Sequence, residues 1–326
     1  MEDGRPLVAL IDAVDRRPSD LDAVEELARV VRVRGVDELT PHLDRVDVIF
    51  AWNFDRPRLR DVIPRAPRLR WIQSISAGVE DLAFPELRAH GVVLTNAAGV
   101  YDPGLAESVL GFLLAFSARI LEDARLSAGD WPSERIALLR GKIALIVGAG
   151  SIGTETGRLL RSVGLRVRGV ARTARPADDV FESIVGPDAL QAELAVADHV
   201  VNVLPITPTT RRLFGSPQFA AMKPTAVLVN IGRGATVDEL ALIEALRGGV
   251  IAGAALDVFE EEPLPAENPL WQLANVLVSP HRAGDHEGWE SDVVALFVEN
   301  LRRFVSGESL RNVVDVELGY APGTRS

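Results

Sequence analysis

A chain of 326 residues with 47% hydrophobic and 25% charged residues is long enough for two packed domains and has the balance of a globular protein. Its formal net charge of −11 argues against non-specific binding to nucleic acid or to anionic membranes. Without cysteine it has neither a disulfide framework nor a thiolate metal site, and no stretch approaches the ~18 apolar residues that span a bilayer. The acidic start, residues 1–5, lacks the apolar core of a secretion signal, so a cytoplasmic protein is expected.

Residues 7–11 form a short apolar run, read as a buried strand. Ser19 or Asp20 then caps a helix whose apolar face carries Leu21, Val24, Leu27, Val30 and Val31. Further strands are predicted at 46–52, 70–76 and 91–95, and the second of these ends in Ser76-Ala77-Gly78. Alternating strands and helices imply a parallel sheet covered on both faces. This first unit has no glycine-rich phosphate turn. Residues 96–104, rich in Gly, Ala and Pro, read as a hinge. A long apolar helix is predicted over 105–120, with Glu107 placed to favour its positive end. Residues 124–141, including Trp131-Pro132, read as a projecting loop and a second helix.

The most informative stretch is 143–172. An apolar β-branched run is followed at once by GAGSIG at 148–153. Ile152, Leu159, Leu160 and Val163 then recur at helical spacing, Gly164 ends the helix, and a second apolar run follows. Strand, turn, helix and strand is the context in which G-x-G-x-x-G points to a dinucleotide. Gly148 allows the tight turn, Gly150 lets the backbone approach a pyrophosphate, and Gly153 lets the helix pack closely. Ser151 and Ile152 start a helix whose N–H groups face the phosphates. The alternative is an ordinary strand–helix turn with glycines for geometry alone. Past the second strand, where NAD-binding units carry an acidic residue for the ribose 2′-hydroxyl, stand Arg172, Thr173 and Arg175. Guanidinium groups can pair bidentately with a 2′-phosphate, so NADP(H) is expected over NAD(H). The alternative is a pair of solvated surface arginines.

Strands follow at 197–203, ending at Leu204-Pro205, and at 225–231, 250–258 and 276–278. Ligands of such sheets lie beyond the carboxyl ends of the strands, where three polar clusters fall. In Asn230-Ile231-Gly232-Arg233-Gly234, glycines expose an arginine suited to hold a carboxylate and polarise a carbonyl. A surface arginine on a turn is the alternative. Asp257 ends an apolar run, so its carboxylate requires a partner, read as the nicotinamide carboxamide. Glu260-Glu261-Glu262 form a solvated loop from which one carboxylate could turn inward. His281 directly follows the last strand. Beside a carboxylate it would keep its proton to higher pH and could give it to a carbonyl oxygen. A structural histidine is the alternative. His42, His90, His199 and His286 have no such context. Finally, 287–308 predicts an amphipathic helix that returns to the first unit. The expected domains are 1–98 with 288–326 for substrate and 99–287 for the dinucleotide.

Together GAGSIG, NIGRGATVDE, ALDVFEEEPLP and SPHRAG, in this order and spacing, resemble the D-isomer-specific 2-hydroxyacid dehydrogenase family. SISAGVEDL at 74–82 and NAAGVYDPGLAES at 96–108 are similar to its substrate loop and hinge. The resemblance covers nearly the whole chain. It implies α/β architecture: two Rossmann/flavodoxin-like, doubly wound parallel-sheet domains with a cleft between them, in a homodimer. It implies Arg233 as the substrate-binding arginine, His281 as general acid/base and Glu262 as the carboxylate paired with it. Ser76, Ala77 and Gly78, with Val79, correspond to the loop whose N–H groups hold the substrate carboxylate. Asp257 corresponds to the partner of the nicotinamide amide. Ser151, Ile152, Leu204, Pro205, Thr210, Ile231, Gly232, His281, Ala283 and Gly284 fall where the family lines its cofactor. No metal is implied.

Two departures stand out. Arg172 replaces the usual acidic residue, as in the glyoxylate/hydroxypyruvate reductase branch. Glu80 stands where Asp is common, and nothing in the sequence explains it. Trp131 and Trp289 are candidates to line the substrate pocket, Trp131 from the partner subunit; plain packing is the alternative. The resulting expectation is NADPH-dependent reduction of a small 2-oxo acid to the D-2-hydroxy acid. Two alternatives stay open. One is an NAD-linked dehydrogenase of another small acid, such as formate or phosphite, on the same scaffold. The other is a non-catalytic, dinucleotide-sensing, corepressor-like protein, against which the joint presence of Arg233, Glu262 and His281 argues.

Overall fold

In the computed structural model, which describes residues 4–12, 18, 21–52 and 56–321, both sheets are built from parallel strands alone. Contacts divide the chain into two units, Met1–Tyr101 with His286–Ser326, and Asp102–Asp285.

The first unit holds β1 (Leu7–Ile11), β2 (Arg29–Val33), β3 (Val48–Ala51), β4 (Trp71–Ser74) and β5 (Val93–Thr95). Their order is β2-β1-β3-β4-β5, a doubly wound sheet whose direction of growth reverses between β1 and β3. Successive side chains of a strand point to opposite faces, and β1 serves two cores accordingly. Ala9 and Ile11 join Ile49, Ile72 and Leu94; Val8 and Leu10 join Phe50 and Trp71. The second of these faces is covered by the helix Trp289–Ser306, whose Phe297 ring stacks on Phe50 with centroids 4.0 Å apart. Trp289 is buried in the same layer and stacks on Trp52 at 5.9 Å. Val30 and Val31 belong to β2, not to a helix. The helix stops at Leu27, and the β-branched RVVRV run pairs with β1 in register from Leu7–Arg29 to Ile11–Val33. The cap expected at Ser19 or Asp20 lies outside the described residues.

The second unit holds β6 (Ile143–Val147), β7 (Arg166–Val170), β8 (Ser183–Val185), β9 (His199–Asn202), β10 (Val227–Asn230), β11 (Gly253–Leu256) and β12 (Val276–Val278). Their order, β12-β11-β10-β9-β6-β7-β8, is the dinucleotide-binding 3-2-1-4-5-6 arrangement with one more strand on the far edge. The edge strand β8 has three residues, too short to show a period in sequence. The long helix is Asp102–Ser117, so Asp102 and not Glu107 supplies its first-turn acid. After it only Ile120–Asp123 is helical, and 124–141 forms no second helix. Of its large apolar residues only Leu139 is buried; Leu126, Ile136, Leu138 and the 95% exposed Trp131 give it no buried face that could hold a helix in place. Among the described residues no helix is long and apolar enough to cross a membrane, and no group of side chains is arranged to hold a metal ion.

The chain's two lysines converge near the amino end of β9. Lys223 Nζ lies 3.0 Å and Lys142 Nζ 3.6 Å from the Asp198 carboxylate. The adjacent His199 is buried with Nδ1 unpaired, and burial, helped by the lysines and opposed by Asp198, pushes its pKa from 6.5 down to about 4. This imidazole stays neutral in the fold while the unfolded chain takes up a proton near pH 6.5. It therefore costs no stability above that pH and destabilises the fold progressively as pH falls toward about 4. The loss at pH 5 is about 2 kcal/mol. Urea unfolding at about pH 7.5 and about pH 5 should show that loss in the wild type and a much smaller one in His199→Gln.

Candidate active site

β6 runs into a turn at Gly148, where φ is 113° and a Cβ would stand 3.1 Å from the Val203 carbonyl. A Cβ on Gly153 would fall onto the Gly148 carbonyl. Gly150 differs: apart from its chain neighbours, no atom of the described residues lies within 4 Å of where its Cβ would be. The helix Ser151–Ser162 starts there without a side-chain cap, so its first-turn N–H groups and partial positive charge face outward. A turn closed by protein at Gly148 and Gly153, open at Gly150 and fronted by an uncapped helix end fits a dinucleotide pyrophosphate. Ile152 is half-buried, and the Ser151 hydroxyl bonds the buried Asp102 carboxylate. Arg175 Nη2 donates to Ala149 O at 2.9 Å, which lays this side chain on the glycine-rich turn. Arg172 and Thr173 are exposed just past β7.

Arg233 follows β10. Its backbone is squeezed from two sides, since a Cβ on Gly232 would lie 2.7 Å from Leu204 O and one on Gly234 would fall inside the Phe259 carbonyl. These glycines admit neighbouring backbone on either side of Arg233, which is itself half-exposed. Arg233 O accepts from Thr236 Oγ1 at 2.6 Å and Asn230 Nδ2 at 3.3 Å, and its Nη1 donates to Gly232 O at 2.7 Å. Behind them the fully buried Asn202 donates to Asn230 Oδ1 at 2.9 Å and Thr236 Oγ1 at 2.6 Å, and accepts from Leu204 N at 3.3 Å. Ile231 is buried beside this network. Thr210 Oγ1 donates to Pro205 O at 2.7 Å and accepts from Thr207 N at 2.8 Å, closing the loop after β9 on itself.

His281 sits in the turn after β12, in a left-handed conformation with φ 50°. Asp257, at the end of β11 and 2% exposed, holds that turn. Its carboxylate accepts from Ser279 Oγ at 2.5 Å, Arg282 N at 3.0 Å and Ala283 N at 3.1 Å, while Asp257 O accepts from His281 N at 2.9 Å. These donors from the protein satisfy the buried carboxylate. Ala283 and Gly284 are buried, and Ala283 O accepts from Ser108 Oγ at 2.8 Å.

Of the three consecutive glutamates, Glu262 turns inward. Its Oε1 accepts from Phe259 N at 2.9 Å, and its Oε2 lies 2.6 Å from His281 Nδ1. The hydrogen bond and charge of Glu262, with the charge of Asp257, raise the His281 pKa above its usual 6.5 against burial and the Arg233 charge. Burial pushes the Glu262 carboxyl up, but His281, the Phe259 N–H and Arg233 together hold it below its usual value. Arg233, Glu262 and His281 are therefore brought together within one unit, close enough for their charges to act on one another.

Ser76, Ala77 and Gly78 lie in the other unit, half-exposed at the carboxyl end of β4. Asn96, Asp102, Ser108, Asn202 and Thr236 are buried or half-buried partners of site residues that sequence reasoning missed. The available signal was a polar residue ending an apolar strand, at Asn96 and Asn202, and an Asp-Pro helix start at Asp102.

A family model described as D-isomer specific 2-hydroxyacid dehydrogenase, NAD binding domain, matches residues 110–283. The chain is 34% identical over 299 residues to a glyoxylate reductase of Thermococcus gammatolerans, covering 88% of this chain and 85% of that one. Among solved structures it is similar to a D-isomer specific 2-hydroxyacid dehydrogenase of Xanthobacter autotrophicus in complex with NADPH and MES, with TM-score 0.85, 32% identity and coverage of 97% and 100%. It is also similar to an NADPH-dependent glyoxylate/hydroxypyruvate reductase of Sinorhizobium meliloti in complex with NADP and sulfate, with TM-score 0.80, 27% identity and the same coverage.

The geometry of the Glu262–His281 pair can be checked without any assay of turnover. In an NMR titration the His281 imidazole should change charge above pH 6.5. Glu262→Gln should move that change downward, because the anion that favours imidazolium is gone and burial remains. An unmoved titration would show that the two groups do not interact.

Proposed function

The chain belongs to the D-isomer specific 2-hydroxyacid dehydrogenase family of NAD(P)-dependent oxidoreductases, and on that premise we propose that it reduces a small 2-oxo acid to the D-2-hydroxy acid with NADPH. The reaction is R–CO–COO⁻ + NADPH + H⁺ → R–CHOH–COO⁻ + NADP⁺. The observation that carries this reading is the 2.6 Å Glu262–His281 pair with the Arg233 charge acting on both.

When bound, the reduced nicotinamide supplies a hydride to the carbonyl carbon. His281 supplies the proton. Its Nδ1 is engaged by Glu262, so Nε2 is the nitrogen that donates to the carbonyl oxygen. Glu262 keeps the ring oriented and charged, and Arg233, which opposes that charge, eases the departure of the proton. Arg233 also pairs with the substrate carboxylate and stabilises negative charge growing on the oxygen. The N–H groups of Ala77 and Gly78, in the first unit, are donors suited to a substrate carboxylate. Gly148, Gly150, Ser151, Ile152 and Gly153 would hold the pyrophosphate, and Leu204, Pro205, Ile231 and Gly284 would help to hold the rest of the dinucleotide. Arg172 and Arg175 would receive the 2′-phosphate. Support for NADPH comes from Arg175 on the glycine-rich turn and from the absence of a carboxylate at Arg172, Thr173 and Arg175 that would repel a phosphate. The NADPH and NADP in the two similar structures point the same way. We further read the chain as a homodimer, because Leu126, Trp131, Ile136 and Leu138 are exposed along one short segment.

Glyoxylate, hydroxypyruvate, pyruvate and phenylpyruvate, each tried with NADPH and NADH, form the test. At least one is reduced, with kcat/KM about tenfold or more in favour of NADPH, a preference of ~1.4 kcal/mol. Arg172→Asp narrows that preference, and a native preference for NADH rejects the cofactor assignment. His281→Ala lowers kcat by about 10²–10⁴, the range for a lost general acid. Near-normal turnover in that variant rejects the role of His281.

A further inference from the structure

We propose that Asn96 and Tyr101 are positioning residues that aim the N–H groups of the 76–78 loop at the substrate carboxylate. The proposal rests on the reading of that loop given above. Three successive carbonyls of the loop are each held by the segment 96–101. Ile75 O accepts from Tyr101 OH at 2.6 Å, Ser76 O from Ala97 N at 3.0 Å, and Ala77 O from Asn96 Nδ2 at 2.6 Å. In a planar trans peptide the carbonyl and the following N–H point in opposite directions. Pinning those carbonyls therefore sets the directions of the N–H groups of Ser76, Ala77 and Gly78. Ser76 N donates to Ser74 Oγ at 3.1 Å. Ala77 N and Gly78 N donate to no acceptor among the described residues, although the loop is only half-exposed. Two adjacent amide N–H groups left on one side of a restrained loop make an anion-binding concavity.

The clasp is itself rigid. Asn96 is 2% exposed, and its Oδ1 accepts from Ala98 N at 3.2 Å, so its amide cannot rotate without losing bonds at both ends. Asn312, buried with φ 57°, braces the outer side: Asn96 N donates to Asn312 O at 3.2 Å, and Asn312 Nδ2 donates to Ala98 O at 2.7 Å. The Tyr101 ring is seated near Trp289, with centroids 5.8 Å apart. The polar atoms that reach the loop thus sit on a fixed frame. Their removal should free the peptide planes and leave the fold. A carboxylate held by these N–H groups is held alike before and during reaction, so the effect falls on KM and not on kcat.

The test uses the full chain as wild type, Tyr101→Phe, Asn96→Asp and Asn96→Ala. Asn96→Asp keeps the acceptor for Ala98 N and removes the donor to Ala77 O; Tyr101→Phe keeps the ring and removes the hydroxyl. Glyoxylate reduction at saturating NADPH is measured together with calorimetric titration of oxamate into the NADP⁺-loaded protein, and with thermal melting. Losing one such hydrogen bond corresponds to about a fivefold loss of affinity. Tyr101→Phe should raise KM and the oxamate Kd by roughly that factor and Asn96→Asp by at least as much, with kcat within about twofold and NADPH affinity unchanged. A merely structural role would lower the melting temperature and kcat at unchanged KM, and that overturns the proposal. If the wild type neither reduces a 2-oxo acid nor binds oxamate, the functional reading fails and takes the proposal with it. If the wild type does both and the variants match it, the proposal alone fails.

Discussion

A single buried carboxylate organises the chemistry of the second unit. Asp257 is 2% exposed, a placement that is costly unless its oxygens find donors. They find the Ser279 hydroxyl and the N–H groups of Arg282 and Ala283, all within one turn. Binding those donors folds the chain tightly enough that His281 adopts a left-handed backbone, φ 50°, uncommon for a residue with a side chain. The same turn presents Nδ1 to Glu262. The charge of Asp257 also reaches the imidazole and adds to its hold on a proton. Structure and chemistry here share one cause.

The rest of the site is made by backbone pressing on backbone. The strand end at Val203–Leu204 is approached by Gly148 on the glycine-rich turn and by Gly232 on the arginine turn, and Gly234 meets Phe259. No side chain could be added at these points without moving the neighbouring strand end. Asn202 then ties the same wall to Arg233 by way of Asn230 and Thr236. The result is an arginine whose peptide is held by buried, satisfied polar groups, the kind of support that precise positioning of a charged side chain requires.

Much of this fold is legible in sequence because parallel strands buried on both faces read as continuous apolar runs. Only their ends shift by a residue or more. Where two periods fit equally, the sequence misleads: Val30 and Val31 extend a helical stripe from Leu21, Val24 and Leu27, yet they lie in β2. Their β-branching was the better guide. β8 escapes notice because three residues at a sheet edge carry no pattern. The family resemblance drawn from short motifs agrees with the match over residues 110–283. Motifs place candidate residues at strand ends, and the resemblance already pairs Glu262 with His281, but neither says which backbone groups hold the turn. Which glutamate turns inward is decided by the Phe259 N–H and by His281, nineteen residues away. That Asp257 needs a partner follows from burial, but the identity of the partner depends on how the next strand end folds back. Asn96 and Asn202 are single polar letters after apolar runs, and their meaning lies in contacts with Ala77 and Thr236, remote in sequence.

The central claim is that Glu262 holds a proton on His281 for delivery to a carbonyl oxygen. It is tested most directly by the pH dependence of kcat/KM for glyoxylate reduction in the wild type and in Glu262→Gln. The claim predicts a wild-type rate that falls as pH rises through a pKa above 6.5, and the same fall displaced to lower pH in the variant. Coincident profiles, or a wild-type rate indifferent to pH across that range, would contradict it.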